Sequence, residues 1–274
     1  MRENPPGLVR PRRDRLLDLF REAGYSNLLD EIEPIIRSAI QITPEPVGDE
    51  RIPVGSSKFG GDPDLPDGFD WPTATSGPLA FIAQIDLAVA SRADESFLLP
   101  TDGLLSFFHR DWWGDSCPEG GFGVALTTAG TPLIRRPAPD GIENLVANGH
   151  GRWRACGLRF DSIASIPTWD DLGAQGHSSL SDAVYNLLIP ISGEQGCRHT
   201  PLNQMLGHAH PIQHSIDVQA GGVADASNWI PLLQLDTDDR PGWMWGDMGM
   251  IYFMIRRQDL SRADFSNVQC IAEW

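Results

Sequence analysis

Ile82-Ala83-Gln84-Ile85-Asp86 and Leu232-Leu233-Gln234-Leu235-Asp236 carry one pattern twice: aliphatic residues around a glutamine, closed by an aspartate. Such a run has the length and composition of a buried β-strand. Its flanks recur in the same order. Phe59-Gly60-Gly61-Asp62-Pro63-Asp64-Leu65-Pro66 precedes the first copy, and Leu206-Gly207-His208-Ala209-His210-Pro211-Ile212 the second. Gly103-Leu104-Leu105-Ser106-Phe107-Phe108 follows the first and Gly249-Met250-Ile251-Tyr252-Phe253-Met254 the second, with Arg110 opposite Arg256. The three offsets are 146, 150 and 146 residues, which predicts an internally duplicated β-unit.

The rest of the chain has the same texture. Short apolar runs at 40–42, 79–85, 104–108, 123–126, 153–160, 216–218, 229–235, 250–255 and 268–271 are bounded by Gly, Pro and Asp and read as strands. Helices are expected at the N-terminus, where Leu16, Leu17, Leu19 and Phe20 form a stripe ended by Gly24. Ser26 can cap a second helix, which Pro34 must kink or restart. Short helices are expected after Asp86, after Ser181 and at 258–263. The expected architecture is mainly β, an internally duplicated roll with a short helical extension. The extension covers 1–40 and the β domain 41–274, with repeat one at about 41–160 and repeat two at about 200–274.

Composition narrows the function classes. The net charge of −16 disfavours nucleic acid, whose phosphates need clustered Lys and Arg, and an anionic membrane surface for the same reason. No apolar stretch has the length of a membrane span, and residues 1–15 lack the apolar core of a secretion signal. Cys117, Cys156, Cys197 and Cys270 are far apart, which suits a reduced cytoplasm better than a disulfide framework.

Ser57-Lys58-Phe59-Gly60-Gly61 with Pro63, Leu65 and Pro66, then Trp71-Pro72 and the strand through Gln84, resemble the first signature of the YwqG-like family. Leu206-Gly207-His208 with Pro211-Ile212-Gln213, then 232–236 with Asp238, then Trp245-Gly246-Asp247 with Gly249 and 251–253, resemble the later ones, with Asp264-Phe265 near the end. The resemblance implies a duplicated β-roll in a mostly bacterial, cytoplasmic family. It brings no activity and no cofactor; a link of some members to toxin–immunity neighbourhoods hints at an interaction role.

Candidate site residues follow. Lys58 is the only lysine among 21 basic residues and stands beside the double glycine, as either a drifted surface position or a tunable point charge. It is expected near the junction of the repeats with Asp236 or Asp247. Gln84 and Gln234 are polar groups inside apolar strands, so they need partners: a structural bridge or a ligand. Asp86, Asp236, Asp238, Asp239 and Asp247 suit turn capping or a hard cation. Trp71, Trp112, Trp113, Trp243 and Trp245 could form a binding platform or plug the ends of the sheet. His208, His210 and His214 have spacing a zinc site could use, but Pro211 interrupts the strand it needs, so the metal expectation is none. No G-x-S-x-G, P-loop or G-x-G-x-x-G occurs. Two functions remain: a non-catalytic protein- or ligand-binding module, of immunity or regulatory kind, that an acid excess would steer to a basic protein partner; or a metal-assisted or acid–base enzyme at the repeat junction.

Overall fold

The computed structural model describes residues 10–75, 77–110, 121–140, 142, 152–192 and 201–274, with the side chains of 188–192 excepted. Two long strands, β1 (Arg37–Pro46) and β10 (Cys156–Ser165), pair antiparallel along their whole length and form the centre of a ten-stranded sheet. A wing of four strands leaves each side. The first is β2 (Lys58–Phe59), β6 (Ala80–Asp86), β7 (Leu104–His109) and β8 (Phe122–Thr127). The second is β11 (Gln204–Leu206), β12 (Trp229–Asp236), β13 (Met250–Arg256) and β14 (Gln269–Glu273). Small ladders lie outside the sheet: β3 (Asp64–Pro66) with β9 (Leu133–Arg135), and β4 (Thr73–Ala74) with β5 (Gly77–Pro78). The wings curl toward each other until Phe107 and Phe253 meet with ring centroids 5.1 Å apart, and the main core fills the space between them.

The two wings share their pairing. Lys58 faces Gln84 and Gln204 faces Gln234; Gln84 in turn faces Ser106 and Gln234 faces Tyr252. Each wing has one bulge, between Phe81 and Ala83 and between Pro231 and Leu233. The bulge decides where the glutamine points. Ile82 and Ala83, like Leu232 and Leu233, both enter the main core, so the alternation slips by one. Gln84 and Gln234 are thereby turned to the outer face, where each pins a loop. Gln84 accepts from Asp64 N (2.8 Å) and donates to Ser56 O (2.7 Å). Gln234 accepts from His210 N (3.0 Å) and donates to Leu202 O (2.9 Å). Those loops turn through the left-handed region at Gly60 and Gly61, and at Leu206 and Gly207.

Helices cover the outside. α1 (Arg13–Glu22) and α2 (Leu29–Ile32) pack with α4 (Trp169–Ala174) and α5 (Ser178–Ser192) through Leu16, Phe20, Ile32, Leu172 and Leu180. Pro34 does restart the backbone, inside a 3-10 turn at Glu33–Ile35. Ser26 opens another such turn and makes no side-chain cap, and β1 begins at Arg37, inside the segment expected to be helical extension. α3 (Leu87–Ala90) is capped by Asp86, whose Oδ1 accepts from Ala88 N at 3.0 Å. α7 (Arg257–Leu260) follows β13.

One expected strand is a helix. Residues 216–218 open α6 (Ile216–Gly221), which lays Ile216 against Trp229, Met250 and Tyr252 on the outer face of the second wing. A three-residue apolar run is too short to distinguish the two periods. Gly222, at φ +69°, ends the helix. Among the described residues no helix is long and apolar enough to cross a membrane.

Candidate functional site

The first polar assembly lies in the loop pinned by Gln84. Lys58 is fully buried (0 % exposed). Its Nζ donates to Asp49 Oδ1 at 3.0 Å and to the Asp62 carbonyl, and lies 3.8 Å from Asp64 Oδ2. Arg135 closes the cluster on Asp64 Oδ1 at 2.9 Å. Burial pushes the Lys58 ammonium below its usual range, offset in part by Asp49 and Asp64. Burial pushes the Asp64 carboxyl up, but Arg135, Gly55 N–H, Gln84 and Lys58 together hold it below the usual carboxylate range. Gly61 lets this form: a Cβ there would stand 2.7 Å from the Asp49 carboxyl carbon. The chain's one lysine therefore stands where a compact ammonium must fit an enclosed site. Its partners are Asp49, Asp62 and Asp64, where the sequence pointed to Asp236 or Asp247. Two cations face two carboxylates in this cluster, an arrangement that braces the loop.

The remaining candidates are dispersed. Gln84 is satisfied by Asp64 and Ser56, and Gln234 by His210 and Leu202. Replacing Gln84 by Leu strands the Asp64 amide and the Ser56 carbonyl, so urea unfolding is expected to show a loss of roughly 1–3 kcal/mol. Asp236 accepts from Leu202 N and Asp238 from Arg240 N, which are capping bonds, and Asp238 also accepts from the Asn203 Nδ2 and Arg240 side chains. Asp239 and Asp247 are exposed. Trp243 and Trp245 are buried with Trp153 inside the core, Trp245 donating to Asp236 O, so they pack rather than form a platform. Trp112, Trp113, Cys117 and Cys197 lie outside the described residues. Cys156 is buried, and burial followed by Asp238 pushes its thiol up to about 12, which removes it as a nucleophile.

The three histidines do not converge. His208 Nε2 donates to Ile35 O (2.9 Å), His210 Nε2 accepts from Arg10 (3.1 Å), and His214 is exposed. Burial holds the His208 and His210 rings neutral, down to about 3. Among the described residues no group of three or more His, Cys, Asp or Glu could hold a metal ion.

His208 does border the second polar assembly, a cleft of about 280 Å³. Arg37 reaches it from the first position of β1, Asp171 from α4 and Asp217 from the first turn of α6. Arg37 makes one long bond, Nη1 to Gly207 O at 3.5 Å. Burial pulls its guanidinium down, as does Arg257, while Asp217 raises it. Asp217 Oδ1 is buried without any hydrogen-bond partner. Burial raises its carboxyl to about 6 against the opposing pull of Arg37. Asp171 is fixed, its Oδ2 accepting from Thr168 Oγ1 at 2.8 Å. Sequence reasoning missed Arg37 and Asp217. The available signal was a lone charge closing the apolar run Ile35-Ile36, and the serine before Ile216-Asp217, read as strand.

No curated protein matches the chain. A family model, described as a domain of unknown function (DUF1963), matches residues 57–273, so the second wing, Asp171, His208 and Asp217 fall within the match while Arg37 and Asp49 precede it. The chain belongs to the DUF1963 family, a domain of unknown function.

Proposed function

We propose that the protein is a non-catalytic binding module that holds a small polar ligand in the cleft between β1, α4 and α6. The observation that carries this is the Asp217 carboxylate, with a buried oxygen that no protein group bonds, beside an arginine that spends one long bond. An unmet buried acceptor costs about 1–3 kcal/mol, and ligand sites are where such a cost is retained. The cleft is near the lower end of the volumes of small-ligand pockets. The repeated glutamine bonds support reading the wings as copies of one unit, and the quoted motifs support the YwqG-like identity. The charge of −16 supports a basic protein partner in the cytoplasm, in an immunity or regulatory role fed by the cleft. A second reading, an acid–base enzyme at this cleft, is favoured by the Asp217 carboxyl at about 6, near the ideal for proton transfer at neutral pH.

Ser215 lines the cleft, is exposed and makes no side-chain cap, so Ser215→Trp fills the space without breaking a bond. Purified chain is expected to retain a low-mass compound from cell extract that Ser215→Trp does not, read by mass spectrometry after denaturation. Identical low-mass profiles for the two proteins would dismiss the cleft as a ligand site.

A further inference from the structure

Three charged residues line the cleft, and they come from three separate elements: Arg37 on β1, Asp171 on α4 and Asp217 on α6. Arg257 on α7 does not line it but is near enough to act on both Arg37 and Asp217. Arg37 and Asp217 sense each other's charge, yet no ion pair joins them among the described residues. The opposite charges thus border one cleft without being joined to each other. His208 is neutral and its Nε2 is committed to Ile35 O, so it neither cancels the carboxylates nor adds to the arginines.

This arrangement discriminates among ligand charges. A simple anion meets Arg37 but also two carboxylates that repel it. A simple cation meets Asp217 but also Arg37, with the charge of Arg257 added from outside the cleft. A divalent metal finds only two carboxylates and an adjacent guanidinium, which is too few oxygens and the wrong neighbour. A ligand with both charges satisfies every wall. Its carboxylate can take the planar fork of Arg37, and its ammonium can take an Asp217 oxygen, since the carboxyl torsion is broad and two-fold.

Resting on the ligand-binding reading above, we infer that the cleft is a site for a small zwitterion of the amino-acid class, its carboxylate on Arg37 and its ammonium on Asp217. The volume of about 280 Å³ is that of roughly nine waters at ~30 Å³ each, which suits a ligand of several carbons.

The test is calorimetric titration of the full chain at pH 7.5 with glycine, β-alanine and γ-aminobutyrate, and with acetate and methylammonium as single-charge controls. The series steps the charge separation, so the best member also reports the distance between the two subsites. At least one amino acid is expected to bind ~10-fold or more tightly than either control, an expectation set by adding a second charge-assisted contact. Asp217→Asn should remove that advantage without weakening acetate binding, since it lifts one of the two repelling charges, and Arg37→Met should remove both. Circular dichroism of each variant guards against unfolding. Acetate binding as tightly as the best amino acid, or an unchanged Asp217→Asn, would overturn the inference in favour of a plain anion site. If no amino acid binds but the Ser215→Trp comparison still shows a retained compound, this inference fails and the ligand-binding reading stands. If that comparison shows nothing, both fail.

Discussion

Lys58→Met is expected to destabilise the protein by about 3–5 kcal/mol, the usual result of removing one partner from a buried charge cluster. The ammonium sits with Asp49 Oδ1 and the Asp62 carbonyl and near Asp64 Oδ2, in a side chain with no solvent exposure. Without it, Arg135 alone must balance Asp49 and Asp64, and the latter is fully buried. At roughly 2–4 °C per kcal/mol for a chain of this size, the melting temperature should fall by on the order of 10 °C. The pH dependence gives a finer check. The folded protein holds the Asp64 carboxyl below its usual range, so the stability it contributes is present above the unfolded carboxylate value and lost as pH falls through the depressed one. Removing Lys58 raises that carboxyl, so the penalty should be largest at neutral pH and shrink in acid. A melting temperature within two or three degrees of the parent at pH 7 would mean that the cluster braces nothing, and would return Lys58 to the candidates for function.

That outcome marks where sequence and structure part. Lys58 was conspicuous by identity, as the only lysine, and the glycine near it at Gly61 leaves room for a close approach. What approaches is Asp49, from a segment whose sequence looks like an ordinary acidic turn. Pattern alone reveals that a buried polar group needs a partner; it does not reveal which of 37 carboxylates supplies it. The strands were legible because their alternation and their bounding glycines are local properties, and eight of the nine expected apolar runs lie in or overlap the strands of the sheet. The glutamines were legible as polar positions in apolar strands, but not their direction, because the bulges that re-aim them leave no mark beyond an extra aliphatic residue. The tryptophans, in Gly- and Pro-rich surroundings, were open to two readings, a binding platform or a plug at the sheet ends. In the fold those same turns tuck Trp243 and Trp245 under the sheet, against Trp153. The cleft was least legible of all. Its charged residues come one each from β1, α4 and α6, with nothing in common but position, and its key carboxylate sits in a segment too short for its helical period to register.

Asp217→Asn is expected to make the protein more stable at pH 8, against the general rule that substitutions destabilise. Burial raises the Asp217 carboxyl from an ordinary 3.8 to about 6, so the folded protein holds this proton more tightly than the unfolded chain does. The sign follows from proton binding. Between about 4 and 6 the folded state carries the extra proton, and stability falls as pH rises through that window. Above it the ionised, partly desolvated carboxylate is a constant penalty; below about 4 both states are protonated and the penalty is gone. Asparagine cannot ionise and offers an N–H₂ group in place of an unmet oxygen. The gain at pH 8 should therefore be on the order of 1–3 kcal/mol, raising the melting temperature by several degrees, and should shrink toward zero by pH 4. The same variant is expected to lose the amine-dependent part of zwitterion binding. The two effects in opposite directions separate the explanations for this residue. A carboxylate kept for packing or bracing stabilises the fold, and its amide costs stability at neutral pH. A carboxylate kept for a ligand sits at a loss until the ligand arrives, and its amide recovers that loss while abolishing the contact. Thermal melts of parent and Asp217→Asn across pH 4–8 decide between them. A lower melting temperature for the variant at pH 8 would make Asp217 a structural group and withdraw the main support for a ligand in the cleft.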